Sequence, residues 1–185
     1  MNNLFDLTGK VAVAIGGNST LGSAMAKGLA GQGAKVAIVG RNLEKAEVVA
    51  KEIEADGGTA KAFQADVSEL DTIERVAGEI EDWAGGCDIL LNAPGKNSST
   101  PFFELTTEEW DDIMDVNLKG LVFTIQTFAK RMIEQNRKGS IINISSASSN
   151  IPLSKVFTYS ASKAGVNSVT QFLAREFAPN GIRNT

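Results

Sequence analysis

A tyrosine and a lysine stand four residues apart near the end of the chain, at Tyr159 and Lys163, and Tyr159 is the only tyrosine in the sequence. In a helix, side chains four residues apart lie on one face. A phenol has a reference pKa of about 10 and is a poor base at neutral pH. A lysine ammonium about 4 Å away stabilises the ionised form of a phenol by about 4 kcal/mol at intermediate dielectric. The pair therefore suits general acid/base chemistry, although a solvent-exposed pair without such a role has the same spacing.

Two polar residues upstream could share this chemistry. Ser146 lies thirteen residues before Tyr159 and follows a short apolar run. Its hydroxyl could hold a substrate carbonyl or hydroxyl beside the phenol. Asn117 lies on the apolar stripe of a long helical segment, where an amide is costly unless it is hydrogen-bonded. We therefore expect Asn117 either to bend the helix or to hold a water molecule in a proton relay.

The sequence contains no histidine and a single cysteine, Cys87. The lack of histidine excludes Ser-His-Asp hydrolysis, Cys-His proteolysis and most transition-metal sites. One cysteine can form neither an intramolecular disulfide nor a zinc site of paired cysteines. We therefore expect no bound metal, and we expect a protein of the reducing cytoplasm.

The length and net charge of the chain limit the kinds of partner that it is expected to bind. It has 185 residues and a formal net charge of -4. This length suits one well-buried domain, which we place at residues 1–185. A net negative charge disfavours strong binding to nucleic acid or to an anionic membrane surface. No apolar run reaches the roughly 20 residues of a membrane span, so a small molecule is the expected partner.

Short apolar runs alternate with helix-length amphipathic segments along the chain. The runs are rich in Val, Ile and Leu and mostly continuous, which is typical of strands covered by helices on both faces. The sequence therefore predicts an α/β fold, a doubly wound, Rossmann-like parallel sheet in three α/β/α layers. Ligands of such sheets bind beyond the carboxyl ends of the strands. The predicted strands are 11–15, 36–39, 60–63, 89–91 and 141–144, and the predicted helices are 21–32, 43–56, 69–83, 107–135 and 157–178.

A glycine-containing turn joins the first predicted strand to the first predicted helix. Glycines here permit a tight turn and let the backbone approach a pyrophosphate at the positive end of the helix. The Lys-Ser/Thr pair of a nucleoside-triphosphate loop is missing. A plain strand-to-helix turn would look similar, but the place of this turn after the first strand favours dinucleotide binding. The candidate cofactor-binding residues in the turn are Gly16, Asn18, Ser19, Thr20, Leu21 and Gly22.

Arg41 follows the second predicted strand, where dinucleotide enzymes that select NAD place a carboxylate. Arg41 could pair with the 2′-phosphate of NADP, or it could be a solvated arginine at the start of a helix. We therefore favour NADP and keep NAD open. Asp66, after the third predicted strand, could accept a hydrogen bond from an adenine amino group or could simply open the next turn.

In their joint order and spacing, these residues resemble the short-chain dehydrogenases/reductases over nearly the whole chain. The resemblance implies hydride transfer to or from a nicotinamide, with a secondary alcohol and a ketone as the reacting pair. It also implies that Asp66, Val67, Asn92 and Ala93 border the cofactor. The matching pieces are Gly16-x5-Gly22, Asp66-Val67, Asn92-Ala93-Pro94-Gly95, Asn117-x2-Gly120, Ser146 and Tyr159-x3-Lys163.

The resemblance also implies roles for the polar residues. It makes Tyr159 the acid/base, Lys163 the cation that favours its ionised form and binds the nicotinamide ribose, and Ser146 the residue that orients the substrate. Asn117 would anchor a water relay. The segments 5–10, 40–45 and 95–97 are most similar to those of family members that act on sugar acids or polyols. Family members form dimers or tetramers, although the last helix could equally pack on its own sheet.

Family members continue beyond the equivalent of residue 185 into further strands and a substrate-covering loop. From the resemblance we expect C-terminal strands of the sheet to be missing, with the strand at 141–144 as an open edge if the chain ends there. A dinucleotide-binding protein without catalysis, or an inactive fragment, is the alternative to an active oxidoreductase. A methyltransferase is disfavoured, because Gly40 and Arg41 supply no carboxylate at the end of the second strand.

Overall fold

Six strands and six α-helices alternate along the described part of the chain, residues 4–151 and 153–185 of a computed structural model. Residues 1–3 and 152, which belong to the predicted domain at 1–185, lie outside the described residues. The strands are β1 (Val11–Ile15), β2 (Lys35–Gly40), β3 (Thr59–Gln64), β4 (Ile89–Asn92), β5 (Ser140–Asn143) and β6 (Arg183–Asn184). The helices are α1 (Thr20–Gly31), α2 (Leu43–Ala55), α3 (Leu70–Ala84), α4 (Thr107–Met114), α5 (Gly120–Glu134) and α6 (Phe157–Phe177). None of the described helices is both long and apolar enough to cross a membrane.

All strand pairs are parallel, and the strand order is β3-β2-β1-β4-β5-β6. The chain therefore winds outward from β1 to β3 and then outward in the opposite direction from β4 to β6. The helices on either side of this reversal cover opposite faces of the sheet, so a crevice opens at the carboxyl ends of β1 and β4. The predicted doubly wound, Rossmann-like parallel sheet is confirmed.

Each face of the sheet buries its own apolar cluster. Helices α1 and α2 cover one face, where Ile53 packs in a cluster with Val36 and Ile38. Helices α3 and α5 cover the other face, where Ile80 and Phe128 join the second cluster. Strand β1 is buried along its whole length, which explains its unbroken apolar sequence. The strand ends that border the crevice are thus fixed from both sides.

The short strand β6 covers part of the edge of β5. It pairs in parallel with Ser140 and Ile141, and the N–H of Asn143 donates a hydrogen bond of 2.7 Å to the carbonyl of Thr185. This pairing corrects the expectation that β5 would be an open edge if the chain ended at residue 185. A strand of two residues carries too little periodicity to be predicted from its sequence.

The segment predicted as one long helix at 107–135 is divided by a π-helical turn. Helix α4 ends at Met114, α5 begins at Gly120, and the turn Asp115–Lys119 lies between them. Such turns insert an extra residue into a helix and are frequent at functional sites. This turn carries Asn117, which is completely buried. The expected distortion of the helix at Asn117 is therefore present, in the form of a π turn.

Gly120 places α5 directly against the chain that follows β3, because a Cβ at this position would lie 2.6 Å from the carbonyl oxygen of Val67. We predict that Gly120→Ala lowers the free energy of unfolding by about 1–3 kcal/mol, since the two backbones must move apart. Gly78 in α3 is the matched control, because a Cβ there meets no atom within 4 Å. Gly78→Ala should be neutral or stabilising by up to about 1 kcal/mol. Denaturant unfolding measures both variants, and equal losses would contradict the close-contact explanation.

Candidate active site

A cavity of about 460 Å³ opens at the carboxyl ends of the strands, at the reversal between β1 and β4. All of the predicted cofactor-binding residues except Gly22 and Asn92 lie on its wall. Those on the wall are Gly16, Asn18, Ser19, Thr20, Leu21, Arg41, Asp66, Val67, Ala93, Tyr159 and Lys163. Sequence reasoning missed further wall residues, although most of them lie at or just after a strand end, where the fold class predicts ligands. These are Ile15, Val39, Gly40, Ala65, Pro94, Gly95, Val116 and Ile144.

Gly16 and Gly22 are required by backbone contacts within the turn itself. Gly16 has a φ of +71°, and a Cβ there would lie 2.7 Å from the carbonyl oxygen of Ala93. A Cβ on Gly22 would overlap the carbonyl oxygen of Gly16. The end of β1, the loop after β4 and the start of α1 are therefore in direct backbone contact. Gly22 contributes this packing from behind the cavity wall.

The side chain of Ser19 caps α1. Its Oγ accepts a hydrogen bond from the N–H of Gly22 at 3.1 Å and donates one to the carbonyl of Gly16 at 2.7 Å. The N–H groups of Thr20 and Leu21, in the first helical turn, have no acceptor within the helix. Both residues lie on the cavity wall at the positive end of a 12-residue helix, where an anionic group is favoured. A pyrophosphate fits this set of donors.

Asn18 closes the wall between β1 and β2. Its Nδ2 donates a hydrogen bond of 3.2 Å to the carbonyl of Asn42, so its side chain lies across the end of β2. A Cβ on Gly40 would come within 2.5 Å of the Asn18 Oδ1. The glycine that ends β2 therefore leaves the space that the Asn18 amide fills, a contact that the sequence patterns did not reveal.

Arg41 and Asp66 face each other at the rim of the cavity. The Nε of Arg41 lies 3.9 Å from the Oδ2 of Asp66, and 67% of the arginine side chain is exposed. The other carboxylate oxygen, Oδ1, accepts hydrogen bonds from the N–H and the hydroxyl of Ser68 at 3.0 and 2.7 Å. The aspartate is thus held by its own turn. The arginine remains free to turn towards a ligand.

Lys163 is almost fully buried, with 2% of its surface exposed, and it contributes to the cavity wall. Its Nζ donates a hydrogen bond of 2.8 Å to the carbonyl of Ile144 and lies 3.5 Å from the carbonyl of Pro94. The same Nζ lies 5.8 Å from the centre of the Tyr159 ring. Burial disfavours the ammonium form and lowers the pKa of Lys163 to about 8. The lysine therefore joins the ends of β4 and β5 to the phenol on α6.

Ser146 follows β5 and does not belong to the cavity wall described above. Its Oγ accepts a hydrogen bond from the N–H of Ser148 at 3.2 Å and lies 3.0 Å from the Ser148 Oγ. The serine caps the short 3₁₀ turn Ala147–Ser149 and is half-buried. Sequence reasoning predicted its place after the strand but not the local turn that orients its hydroxyl.

Asn117 holds the loop between β4 and α4 rather than lining the cavity. Its Oδ1 accepts a hydrogen bond from the N–H of Lys96 at 2.7 Å, and its Nδ2 donates to the carbonyl of Lys96 at 2.8 Å. The same Nδ2 donates to the hydroxyl of Ser162 on α6 at 3.0 Å. One amide thus ties the π turn, the loop and α6 together. Sequence reasoning predicted that Asn117 must be hydrogen-bonded but could not identify Lys96 as its partner.

Asn92, at the end of β4, is buried inside the sheet. Its Nδ2 donates a hydrogen bond of 2.9 Å to the Oδ1 of Asn143 on β5. The amide of Asn143 in turn donates to the Oγ1 of Thr170 on α6 at 3.0 Å. Asn92 therefore lies behind the cavity, where it links β4 to β5 and, through β5, to the helix that carries Tyr159 and Lys163.

The reversed parallel sheet, the glycine turn and the free helix end on the cavity wall define a dinucleotide-binding α/β protein. The model of the short chain dehydrogenase family matches residues 10–185, and the chain belongs to that family. It is therefore an oxidoreductase that acts on CH–OH groups, and the family uses nicotinamide dinucleotides as cofactors.

Three similar proteins illustrate the relationship. A D-threitol dehydrogenase of Mycolicibacterium smegmatis is 35% identical, over 97% of this chain and 68% of its own length. The crystal structure of a gluconate 5-dehydrogenase from Burkholderia cenocepacia, in complex with NADP and tartrate, superposes with a TM-score of 0.92 at 32% identity, over 97% of this chain and 70% of that one. The crystal structure of a putative D-mannonate oxidoreductase from Haemophilus influenza, with bound NAD, superposes with a TM-score of 0.93 at 36% identity. The match covers 98% of this chain and 72% of that one.

The buried ammonium predicts a pH-dependent stability. Between about pH 8 and the usual lysine value of 10.5, the unfolded chain still binds a proton that the folded Lys163 has released. Stability rises with pH wherever the unfolded state binds more protons, so Lys163 makes the folded state gain stability across this window. Lys163→Met removes this contribution. Urea unfolding from pH 7.5 to 10.5 should show that the free energy of unfolding of the parent increases relative to that of the variant as the pH rises. A difference between the two that stays constant with pH would contradict the burial of the charge.

Proposed function

We propose that the protein is an NAD(P)-dependent oxidoreductase that interconverts a secondary alcohol and a ketone, with Tyr159 as the general acid/base. The observation that carries the proposal is the single cavity that Tyr159, Lys163 and the free end of α1 share. One part of this cavity suits a pyrophosphate, and another presents a phenol beside a buried ammonium. A protein that only bound a dinucleotide would need the first part and would have no use for the second.

The wall residues fit a nicotinamide dinucleotide. The cavity of about 460 Å³ lies within the range of roughly 300–1,000 Å³ that is usual for ligand pockets. The N–H groups of Thr20 and Leu21 would hold the pyrophosphate, Asp66 and Val67 would border the adenine, and Lys163 would hold the nicotinamide ribose. When bound, the cofactor supplies or accepts the hydride. The protein supplies the binding groups and the proton.

In the direction of reduction, Tyr159 donates its phenolic proton to the carbonyl oxygen of the substrate, and in oxidation the ionised phenol accepts the proton of the hydroxyl. The ammonium of Lys163 would stabilise the ionised phenol because the two charges have opposite sign and the ammonium is almost fully buried. The carbonyls of Ile144 and Pro94 hold this ammonium in place. Ser146 donates a hydrogen bond to the substrate oxygen, since its Oγ already accepts one from Ser148.

Asn117 acts as a positioning residue in this proposal. Its two contacts with the backbone of Lys96 hold the loop whose preceding residues, Pro94 and Gly95, form part of the cavity wall. Both hydrogens of its Nδ2 are used, by Lys96 and by Ser162. Its Oδ1 keeps one lone pair that can accept a hydrogen bond from water. We assign to this oxygen the anchor of the water relay that returns protons to Tyr159.

We propose that NADP is preferred to NAD. The guanidinium of Arg41 lies 3.9 Å from the carboxylate of Asp66, which is too far for a hydrogen bond. A 2′-phosphate would give this exposed arginine a strong, charge-assisted partner. The turn that follows β2 contains Gly40, Arg41 and Asn42 and no carboxylate for the ribose hydroxyls.

We propose a sugar acid or a polyol as the substrate class. The names of three similar proteins specify threitol, gluconate and D-mannonate. The turn after β5 carries the half-buried hydroxyl of Ser146 and the exposed amide of Asn150. Hydroxyl and amide groups of this kind form hydrogen bonds with polyhydroxylated molecules.

We further propose that the protein works in the cytoplasm as a dimer or tetramer. Phe123 and Ile133 on α5 and Phe172 on α6 are exposed. Exposed apolar side chains on neighbouring helices are typical of subunit interfaces. Cys87 is buried as a free thiol, which is compatible with a reducing compartment.

Tyr159→Phe tests the acid/base assignment. Turnover should fall by at least about 100-fold, because the only proton-transferring phenol is lost. The affinity for the cofactor should change by less than about threefold, since the ring and Lys163 remain. Nicotinamide absorbance measures turnover and nicotinamide fluorescence measures binding, with a panel of keto sugars and keto acids as substrates. A variant that kept most of its rate would refute the role of Tyr159.

Arg41→Ala tests the cofactor preference. The Kd of NADPH should rise by about tenfold or more, which corresponds to about 1.4 kcal/mol, whereas the Kd of NADH should change by less than about twofold. Arg75→Ala is the matched control, because Arg75 lies on α3, where it pairs with Glu79 and outside the cavity. Equal weakening of both cofactors by Arg41→Ala would remove the argument for phosphate recognition.

A further inference from the structure

The hydroxyl of Ser148 is buried directly beside the hydroxyl of Ser146. The two Oγ atoms lie 3.0 Å apart, and on distance alone either could be the donor. Only 4% of Ser148 is exposed, whereas Ser146 is half-buried. Among residues 4–151 and 153–185, the Ser148 Oγ has no hydrogen-bonding partner other than the Ser146 Oγ. The pair therefore joins a buried hydroxyl to a more accessible one.

Burial decides which of the two hydroxyls donates. A hydroxyl carries one hydrogen and two lone pairs, and a buried donor without an acceptor loses the free energy of its bond to water. If Ser146 donated, the hydrogen of Ser148 would have no acceptor within the described part of the chain. If Ser148 donates, its buried hydrogen is satisfied and the hydrogen of the more accessible Ser146 is left free. The energetics therefore favour Ser148 as the donor.

This direction of the bond fixes the polarity of Ser146. Its Oγ then accepts two hydrogen bonds, one from the N–H of Ser148 at 3.2 Å and one from the Ser148 hydroxyl. Both lone pairs of the oxygen are used, so Ser146 can only donate to a further partner. A carbonyl oxygen that gains negative charge during reduction requires such a donor.

The turn that carries both serines is attached to the helix that carries Tyr159 and Lys163. The Nδ2 of Asn167 on α6 donates a hydrogen bond of 2.8 Å to the Oγ of Ser149. The Ser149 hydroxyl in turn donates to the carbonyl of Ser146 at 2.6 Å. Asn167 lies four residues after Lys163, which lies four after Tyr159, so successive members of this series are neighbours on one face of α6. The backbone of Ser146 is thereby held to α6, and the direction of its hydroxyl hydrogen is left to be set.

We propose that Ser148 is a positioning residue that donates its hydroxyl hydrogen to Ser146 and thereby directs the hydrogen of Ser146 to the substrate oxygen. The inference rests on the proposed function, since that function assigns Ser146 to this oxygen. Ser148 acts through Ser146 and contacts neither substrate nor cofactor. The donated bond polarises the Ser146 hydroxyl and matters most when charge develops on the substrate oxygen. Its loss therefore lowers kcat rather than raising KM.

Ser148→Ala removes the donor by deleting one oxygen atom. With NADPH and the keto sugar or keto acid that the full chain reduces fastest, kcat should fall about tenfold and KM should change by less than about twofold. Ser148→Cys fills the same space with a weak donor, so its kcat should stay within about threefold of that of Ser148→Ala. Ser168→Ala is the matched control, because Ser168 is exposed on α6, and it should keep the parent kcat. A parent-level kcat in Ser148→Ala or in Ser148→Cys would overturn the proposal.

A double-mutant cycle distinguishes this role from a general effect on the fold. If Ser148 acts only through Ser146, adding Ser148→Ala to Ser146→Ala should change kcat by less than about twofold. The same loss in both backgrounds would show an effect that does not pass through Ser146, and it would overturn the proposal. A parent-level kcat in Ser146→Ala would instead contradict the role of Ser146 in the proposed function.

Neutron diffraction distinguishes failure of this inference from failure of the proposed function, because it locates the hydrogens without turnover. In crystals of the full chain exchanged into D2O, the deuterium of Ser148 should lie between the two Oγ atoms, and that of Ser146 should point away from Ser148. If this arrangement is seen but the parent turns over no substrate, the oxidoreductase proposal fails and the orientation of Ser146 by Ser148 stands. If the deuterium between the two atoms belongs to Ser146, the inference is overturned whatever the activity.

Discussion

The buried ammonium of Lys163 is the interaction on which the rest of the site depends. An isolated charge is costly to bury, and this one is held by the carbonyls of Ile144, after β5, and Pro94, after β4. These contacts fix α6 against the ends of two central strands, and so they fix the side of the crevice on which Tyr159 lies. The lowered pKa of Lys163, to about 8, is the electrostatic consequence of this arrangement. The fold thus keeps a cation beside the phenol, but burial makes the charged form of Lys163 less stable than it would be in water.

The features that could be predicted from the sequence are those that depend on local spacing. The continuous apolar strands and the helices between them define a doubly wound sheet, because burial on both faces requires such a pattern. The glycine turn after β1 and the pair Tyr159 and Lys163 could also be predicted, because their residues lie within a few positions of one another in the sequence. The parallel sheet then brings the ends of β1 and β4 together. Candidate residues separated by more than a hundred positions consequently line one cavity.

The features that could not be predicted arise from contacts between distant segments. Asn117 was expected to need a hydrogen-bonding partner, but only the folded chain places the backbone of Lys96 against it. Asn92 was predicted to border a cofactor, but the sequence did not reveal that its amide also joins β4 to β5. Strand β6 was missed because its pairing partner, rather than its own two residues, makes it a strand.

The most direct test of the central claim is a ¹⁵N NMR titration of the Lys163 side chain in the free protein, with the resonance assigned by its loss in Lys163→Met. If the ammonium is buried between the two strand ends and beside Tyr159, its proton should be lost with a midpoint near pH 8. A midpoint at the usual lysine value of 10.5 would place the ammonium in solvent. The geometry that joins the glycine turn, the phenol and the cation into one active site would then be contradicted.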